Sequence, residues 1–358
     1  MFCPNHETDK RICSQSIGVC ALCVREGSLA LAKDSHESLR RRDRLVPSIP
    51  SDGKIVCSEC GNHCRMREGE VGFCNIREAK NGEIIDRHSA SAIVSWYFDP
   101  LPTNCVADWV CPVTNERELG FGKQRLKNLA VFYGSCNSDC LFCQNTSYRT
   151  MMSRGSPLMT PEELASAADE YTACVCYFGG DPACNPAHSV ETSQILNEAK
   201  HVRVCYETNG NISKKWIDTI AEVVKTAKGT LKFDLKAVTP NIYEALTGIQ
   251  NSAVLRNFKE LATANRNREG EFLVASILLV PGYIDLPEVK KISSFIADND
   301  PSIPTALLGF SPHHAMSDLP RTSREHAKAA MEVSKEEGLE NVRIGNLGLL
   351  GINNYRFD

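Results

Sequence analysis

Cys136, Cys140 and Cys143 stand in the run Tyr-Gly-Ser-Cys-Asn-Ser-Asp-Cys-Leu-Phe-Cys-Gln-Asn, separated by three residues and then by two. They offer three thiolates from one short loop. Thiolates are the ligands of iron–sulfur clusters, and a cubane of four irons normally takes four of them. Three leave one iron without a protein ligand, and an open metal position is where a small molecule binds and reacts. A structural zinc ion would need a fourth ligand, and the spacing is unusual for zinc. A disulfide loop fits poorly with seventeen cysteines, an odd number, and an opening Met-Phe-Cys-Pro-Asn-His that reads as no signal peptide.

The other cysteines divide by position. Cys57, Cys60, Cys64 and Cys74 put four thiolates close together, enough for a closed site holding zinc, a mononuclear iron or an auxiliary cluster. Cys3, Cys13, Cys20 and Cys23 form a candidate second set, with Cys20-Ala-Leu-Cys23 as its tight pair; unligated thiols are the equal alternative there. Cys105, Cys111, Cys174, Cys176, Cys184 and Cys205 read as small core residues. Thirteen of the seventeen cysteines lie at or before Cys143 and none follows Cys205, so the metal-rich part of the chain comes first.

Composition sets the frame. The 358 residues are 42% hydrophobic and 23% charged, with a net charge of −4 and no apolar run long enough to span a membrane. Nothing global points to nucleic acid. Many thiols behind no secretory signal imply a reducing cytoplasm. Arg40-Arg41-Arg42-Asp43-Arg44 reads as a solvated helix end before a linker at Pro47–Gly53. We expect three regions: a cysteine-rich segment over 1–52, a four-cysteine metal-binding region over 53–125, and an α/β region over 126–358.

The elements of that last region must position the cysteine loop. Strand-like runs begin near Leu129, Cys174, Val202, Leu231, Phe272 and Ala306, and weakly at Val342. Helices lie between them, one opening with the capping box Thr160-Pro161-Glu162-Glu163 and another with Thr322-Ser323-Arg324-Glu325. Strands alternating with crossover helices imply parallel pairing. Six or so units are too few to close an eight-strand barrel, so the expected fold is α/β, a partial (β/α)6 barrel.

Unusual polar and glycine-rich residues fall where these strands end. The cysteine loop follows the first, Gly179-Gly180-Asp181-Pro182 the second, Glu207-Thr208-Asn209-Gly210 the third and Asp234-Leu235-Lys236 the fourth. Val280-Pro281-Gly282 follows the fifth and Ser311-Pro312-His313-His314 the sixth. In parallel α/β barrels that face carries the active site. Two glycines let backbone approach a ligand closely. Asp234 and Lys236, two apart, share a strand face and suit a zwitterionic ligand; a surface ion pair is the plainer alternative. The two histidines are candidates to line a substrate pocket, although such a pair is as often incidental.

This pattern resembles the radical S-adenosylmethionine (SAM) superfamily, whose open iron is chelated by the amino and carboxylate groups of SAM. Within it, the stretch 55–358 is similar to the AmmeMemoRadiSam-type group, relatives of pyruvate formate-lyase-activating enzyme. The residues behind the likeness are Cys57, Cys60, Cys64, Gly69, Gly72-Phe73-Cys74, Arg77, Asp234-Leu235-Lys236, Leu279-Val280-Pro281-Gly282 and Ile344-Gly345-Asn346. The resemblance implies the partial barrel. It implies a 4Fe-4S cluster on Cys136, Cys140 and Cys143, and SAM against Phe142, Gly179, Gly180, Asp181, Asn209, Asp234, Lys236 and Asn346. Asp181 replaces the glutamate usual in the family. No ferredoxin-like insert follows the cluster loop. The expected activity is reductive cleavage of SAM and hydrogen abstraction from a protein or peptide residue in the cytoplasm, with electrons from a flavodoxin or ferredoxin. The rival enzymatic reading is a cobalamin-dependent methyltransferase of a protein residue. A rival of another class is a non-catalytic metal-binding interaction module.

Overall fold

The chain begins with two helices, α1 (Ala21–Arg25) and α2 (Ala30–Arg42). Two antiparallel hairpins follow, β1 (Ile55–Val56) with β2 (Arg65–Met66) and β3 (Arg77–Lys80) with β4 (Glu83–Asp86). Then come β5 (Ala92–Pro100), β6 (Lys127–Tyr133), α3 (Ser147–Arg154), β7 (Leu158–Met159), α4 (Pro161–Ser166), β8 (Thr172–Gly179), α5 (Pro186–Lys200) and β9 (Arg203–Thr208). The order continues with α6 (Lys214–Thr226), β10 (Leu231–Asp234), α7 (Pro240–Thr247), α8 (Ser252–Asn265), β11 (Leu273–Leu279), α9 (Leu286–Asn299), β12 (Thr305–Gly309), α10 (Arg324–Glu336) and β13 (Val342–Ile344). These are elements of a computed structural model that describes residues 1–6, 8–111, 113, 126–265 and 272–358.

One sheet organises the molecule. Its nine strands among the described residues run β13-β12-β11-β10-β9-β8-β6-β5-β7. From β6 to β13 neighbouring strands are parallel; β5 is antiparallel to both β6 and β7. Six helical crossovers join the seven parallel strands, so the expected (β/α)6 unit is present and β13 adds an edge. β11 is buried on both faces, as strands covered by helices should be. The sheet also takes in β5, so a strand from the second sequence region completes the barrel wall. The boundary expected at 125 lies outside the described residues.

Local signals account for the helix starts. Thr160 and Glu163 form the reciprocal cap at the head of α4. At α10 the cap is Ser323, which accepts from the His326 N–H at 3.0 Å, and Thr322 does something else. Its hydroxyl donates to the Leu279 carbonyl (2.6 Å) and accepts from the Phe310 N–H (2.7 Å), tying β11 to β12. The capping box expected from Thr322 and Glu325 is therefore not formed.

The Arg40–Arg44 segment is not simply a solvated helix end. Arg41 and Arg42 are exposed, but Arg40 is 0% exposed. Residues 32, 36 and 40 repeat every four positions along α2, and this stripe faces the protein.

Candidate active site

The loop after β6 is held from several sides. Its backbone N–H groups at Asp139 and Leu141 donate to the Thr247 and Leu246 carbonyls at the end of α7 (2.8 and 3.0 Å). Asp139, placed between Cys136 and Cys140, is buried and accepts from His36 Nδ1 (2.9 Å), Arg40 Nη1 (3.3 Å) and Arg149 Nη1. Burial opposes its charge, but these three cationic or polar donors hold its carboxyl well below the usual range. Arg40 also donates to the Phe73 carbonyl, and Arg149 to Asp43. Asn62 Nδ2 donates to the Asn137 carbonyl at 2.8 Å. Sequence reasoning missed this network; an acidic residue inside the cysteine loop was its one visible sign.

Cys136, Cys140 and Cys143 all line one cavity of ≈ 600 Å³ at the C-terminal ends of the parallel strands. Phe142, Gly180, Asp181, Asn209, Asp234, Lys236 and Asn346 line it too. Residues from the end of β6 round to the end of β13 thus share one space, so the sheet curls about it. Burial pushes the three thiols up, Cys143 to about 12, while the Lys236 ammonium pulls Cys140 and Cys143 the other way. Thiolates here need a metal's positive charge. A loop of three sulfur donors suits a cluster with one open iron, and the polar groups beside it suit a zwitterion.

Each of these residues already has partners. Lys236 Nζ donates to Asp234 at 2.8 Å, and Ser276 Oγ donates to the other carboxylate oxygen at 2.6 Å. β10 ends at Asp234, so Lys236 sits just past the strand and not on it. Asn209 Nδ2 donates to Asn137 Oδ1 (2.9 Å) and lies 3.9 Å from the Cys136 sulfur. Asn346 bonds Gly309 through both amide atoms, at 2.7 and 3.0 Å, and so fixes β13 to β12.

The Gly179-Gly180-Asp181 turn works as a clasp. Gly180 has φ +60°, and a Cβ there would fall 2.2 Å from the Tyr133 carbonyl oxygen. That close approach lets the Asp181 N–H reach the Ser135 carbonyl at 2.8 Å. The buried Asp181 carboxylate accepts from the N–H groups of Ala183 (2.9 Å) and Asn209 (2.7 Å) and from the Thr208 hydroxyl (3.0 Å). Burial raises its pKa to about 6 despite these bonds. Loops after β6, β8 and β9 therefore meet at one residue, Asp181. Gly179 is not among the cavity residues; a Cβ on it would meet the Phe132 ring at 2.0 Å.

Several cysteines read as core residues line pockets instead. Cys184 joins Cys57, Cys60, Cys64 and Cys74 around a small pocket that also touches Asn137 of the cluster loop. Cys105, Cys111, Cys174, Cys176 and Cys205 line another with Lys232. There Cys176 faces Cys205 across β8 and β9, and Lys232 Nζ lies 3.5 Å from Cys176, 3.6 Å from Cys105 and 3.0 Å from Glu207. At the N-terminus the set that converges is Cys3, His6, Cys20 and Cys23, with His6 in the place expected for Cys13. His313 and His314 lie outside the main cavity wall. Among the described residues, no helix is long and apolar enough to cross a membrane.

Comparison with known proteins adds ancestry to this geometry. A protein of Methanocaldococcus jannaschii, itself uncharacterized, is 28% identical over 320 residues, 88% of each chain. The pyruvate formate-lyase 1-activating enzyme of Escherichia coli is 22% identical over 161 residues, 43% of this chain and 62% of that one. Among solved structures, a radical SAM methyltransferase from Sphaerobacter thermophilus aligns over 62% of this chain and 67% of its own, at 15% identity and a TM-score of 0.46. SuiB of Streptococcus suis, bound to S-adenosylmethionine, aligns over 66% and 55%, at 14% identity and 0.46. Residues 130–296 match the family model of the Radical SAM superfamily, a segment that starts within β6 and contains the whole cysteine loop and the Asp234–Lys236 pair. With that match, the radical SAM superfamily is the family that residues 130–296, the core of the parallel sheet with its cysteine loop, resemble.

Proposed function

We propose that this chain is a radical SAM enzyme that abstracts hydrogen from a carbon of a protein or peptide residue. The observation that carries the reading is one cavity in which three thiols, a carboxylate–ammonium pair and an exposed apolar rim meet. In this reading Cys136, Cys140 and Cys143 ligate a 4Fe-4S cluster. A reduced cluster held there would supply the electron for reductive cleavage of SAM, the source of the hydrogen-abstracting species. Asp234 offers an acceptor to the SAM amino group and Lys236 a donor to its carboxylate. Phe142 and Gly180 pack around the cofactor, and Asn209 and Asn346 keep the flanking loops in place. Asp181 serves as the clasp of the wall.

The rim favours a polypeptide. Leu347 lines the cavity and is 64% exposed, and Ile352, five residues on, is 84% exposed. Leu347, an apolar side chain left in water at the mouth of the site with a second exposed one close by in sequence, suits a macromolecular partner. The E. coli relative is by its name an activator of another enzyme. Selectivity among C–H bonds must come from holding the reacting atom within about 3–3.5 Å, which an ordered peptide in this cavity permits. We further assign Cys57, Cys60, Cys64 and Cys74 to a second metal centre, with electrons for the first delivered by a cytosolic flavodoxin or ferredoxin.

Isotope transfer tests the proposal. Deuterium from a labelled candidate protein or peptide should appear in 5'-deoxyadenosine under anaerobic turnover. Label transfer from small metabolites alone would refute a polypeptide substrate.

A further inference from the structure

The first thirty residues are outside the radical SAM resemblance, yet they contain a tight donor cluster among the described residues. Cys3 Sγ, His6 Nδ1, Cys20 Sγ and Cys23 Sγ all lie within 4.8 Å of one another. The measured edges are 3.9 Å from Cys3 to Cys23, and 3.7, 3.4 and 3.5 Å from His6 to Cys3, Cys20 and Cys23. Zinc bonds of about 2.3 Å to sulfur and about 2.0–2.1 Å to nitrogen, set tetrahedrally, require edges of about 3.8 Å between sulfurs and about 3.6 Å from sulfur to nitrogen. The observed edges agree with both. Four thiol and imidazole groups would not gather this closely for packing alone. We propose that Cys3, His6, Cys20 and Cys23 bind one structural zinc ion.

The local backbone supports the assignment. The ligands come as two pairs, Cys3-Pro-Asn-His6 and Cys20-Ala-Leu-Cys23, each with two residues between ligands, the spacing of structural zinc sites. Phe2 and Ile12 bridge in antiparallel fashion, and the Cys3 N–H donates to the Arg11 carbonyl at 2.8 Å, so the first pair sits on a small hairpin. Asn5 Nδ2 points at the Cys23 sulfur at 3.4 Å, a donor of the kind that supports a bound thiolate. Cys13 is buried nearby but stands apart from the four. Three sulfurs and one nitrogen leave no coordination position free, which marks a holding site and not a reacting one.

What it holds is the path to the cluster loop. Beside the site, the Ala21 N–H donates to the Gly282 carbonyl (3.2 Å), the Tyr283 hydroxyl donates to the Val19 carbonyl (3.0 Å), and Arg25 pairs with Asp285. The chain then enters α2, whose His36 and Arg40 grip Asp139. A metal ion at the N-terminus thereby fixes the start of a segment that ends on the loop carrying Cys136, Cys140 and Cys143. Zinc binding at these four residues stands whether or not the proposed substrate is right.

Metal analysis and X-ray absorption on the full chain test the site. The triple variant lacking Cys136, Cys140 and Cys143 should still carry about one zinc per chain beyond whatever metal Cys57, Cys60, Cys64 and Cys74 hold, and its zinc shell should include the nitrogen of His6 beside sulfurs. Cys13→Ser should keep it. Cys20→Ser with Cys23→Ser should lower zinc at least about tenfold, as loss of two ligands requires. Because that variant can lose metal by misfolding, His6→Cys is decisive: it keeps four ligands and should shift the shell to four sulfurs at unchanged zinc content. A shell that His6→Cys leaves unaltered, zinc lost with Cys13→Ser, or iron in place of zinc on these ligands would overturn the proposal.

Discussion

Replacing Asp139 by asparagine should destabilise the protein out of proportion to the change in size. The carboxylate is buried and accepts from His36, Arg40 and Arg149, of which Arg40 and Arg149 are themselves buried cations. Removing one partner of a buried charge pair costs about 3–5 kcal/mol, because the other charge is left uncompensated. The neutral amide keeps one acceptor oxygen. Arg40 keeps its bonds to the Val46 and Phe73 carbonyls, and Arg149 keeps Asp43. These discounts bring the expected loss to about 2–4 kcal/mol, a large part of the roughly 5–15 kcal/mol of a typical native state. Urea titration of wild type and Asp139→Asn at equal metal content measures it. The pH dependence has a fixed sign. The folded carboxyl titrates below its unfolded value, so its contribution is complete above about pH 4 and is lost as pH falls towards the folded pKa. The gap between the two proteins should stay constant from about pH 5 to 8 and shrink only below about pH 4. A loss under about 1 kcal/mol, the range of an exposed ion pair, would refute the reasoning.

Three further outcomes are expected. Asp234→Ala should weaken SAM binding to the reconstituted protein by about 1–3 kcal/mol, or roughly 5- to 150-fold in Kd, whereas unchanged affinity would return Asp234 and Lys236 to a plain ion pair. Changing Cys136, Cys140 and Cys143 together to alanine should end 5'-deoxyadenosine formation under strong reductant while metal at Cys57, Cys60, Cys64 and Cys74 persists; continued formation would defeat the cluster assignment. Gly180→Ala should lower stability by at least about 1–2 kcal/mol, since φ +60° strains an L residue and the new methyl meets the Tyr133 carbonyl, and a neutral result by thermal melting would mean that the clasp is pliable.

Much of the barrel was legible because its strands are short apolar runs punctuated by glycine and by helix caps, and both signals are local. The cysteine loop stood out because three thiols in eight residues leave few other chemistries, and the fold sets all three on one cavity. What stayed hidden depends on contacts between distant segments. Cys174, Cys176 and Cys205 alternate or recur as core residues do, and only the closing of the sheet sets them against Cys105, Cys111 and Lys232. Cys184 sits in the loop after β8 with no spacing to link it to Cys57, yet the fold carries it there. Counting cysteines favoured Cys13 over His6, although Cys3 and His6 repeat the two-residue gap of Cys20 and Cys23. Four arginines within five residues read as solvated by composition, whereas the four-residue repeat of 32, 36 and 40 gave Arg40 to the interior.

That arginine changes how the parts of the molecule relate. Its side chain joins Phe73, which precedes Cys74 of the four-cysteine region, to Asp139 of the cysteine loop, and it starts from a helix that Cys3, His6, Cys20 and Cys23 precede. Asn62 of the same four-cysteine region reaches Asn137 and Asn211, and Asn209 links that loop onward to Asp181 and the β8 turn. Both N-terminal cysteine-rich regions therefore converge on one loop of about eight residues. A loop of thiols held by the barrel alone would rely on backbone bonds to α7 and the clasp at Asp181. Here its charge balance is completed from outside the matched segment, by His36 and Arg40, and a buried carboxylate missing those partners would resist ionisation and let the loop relax. The extra N-terminal sequence is thus part of what holds the cysteine loop, and substrate-specific features should be sought elsewhere, at the Leu347 rim and along the Pro102–Trp109 segment that faces the cavity.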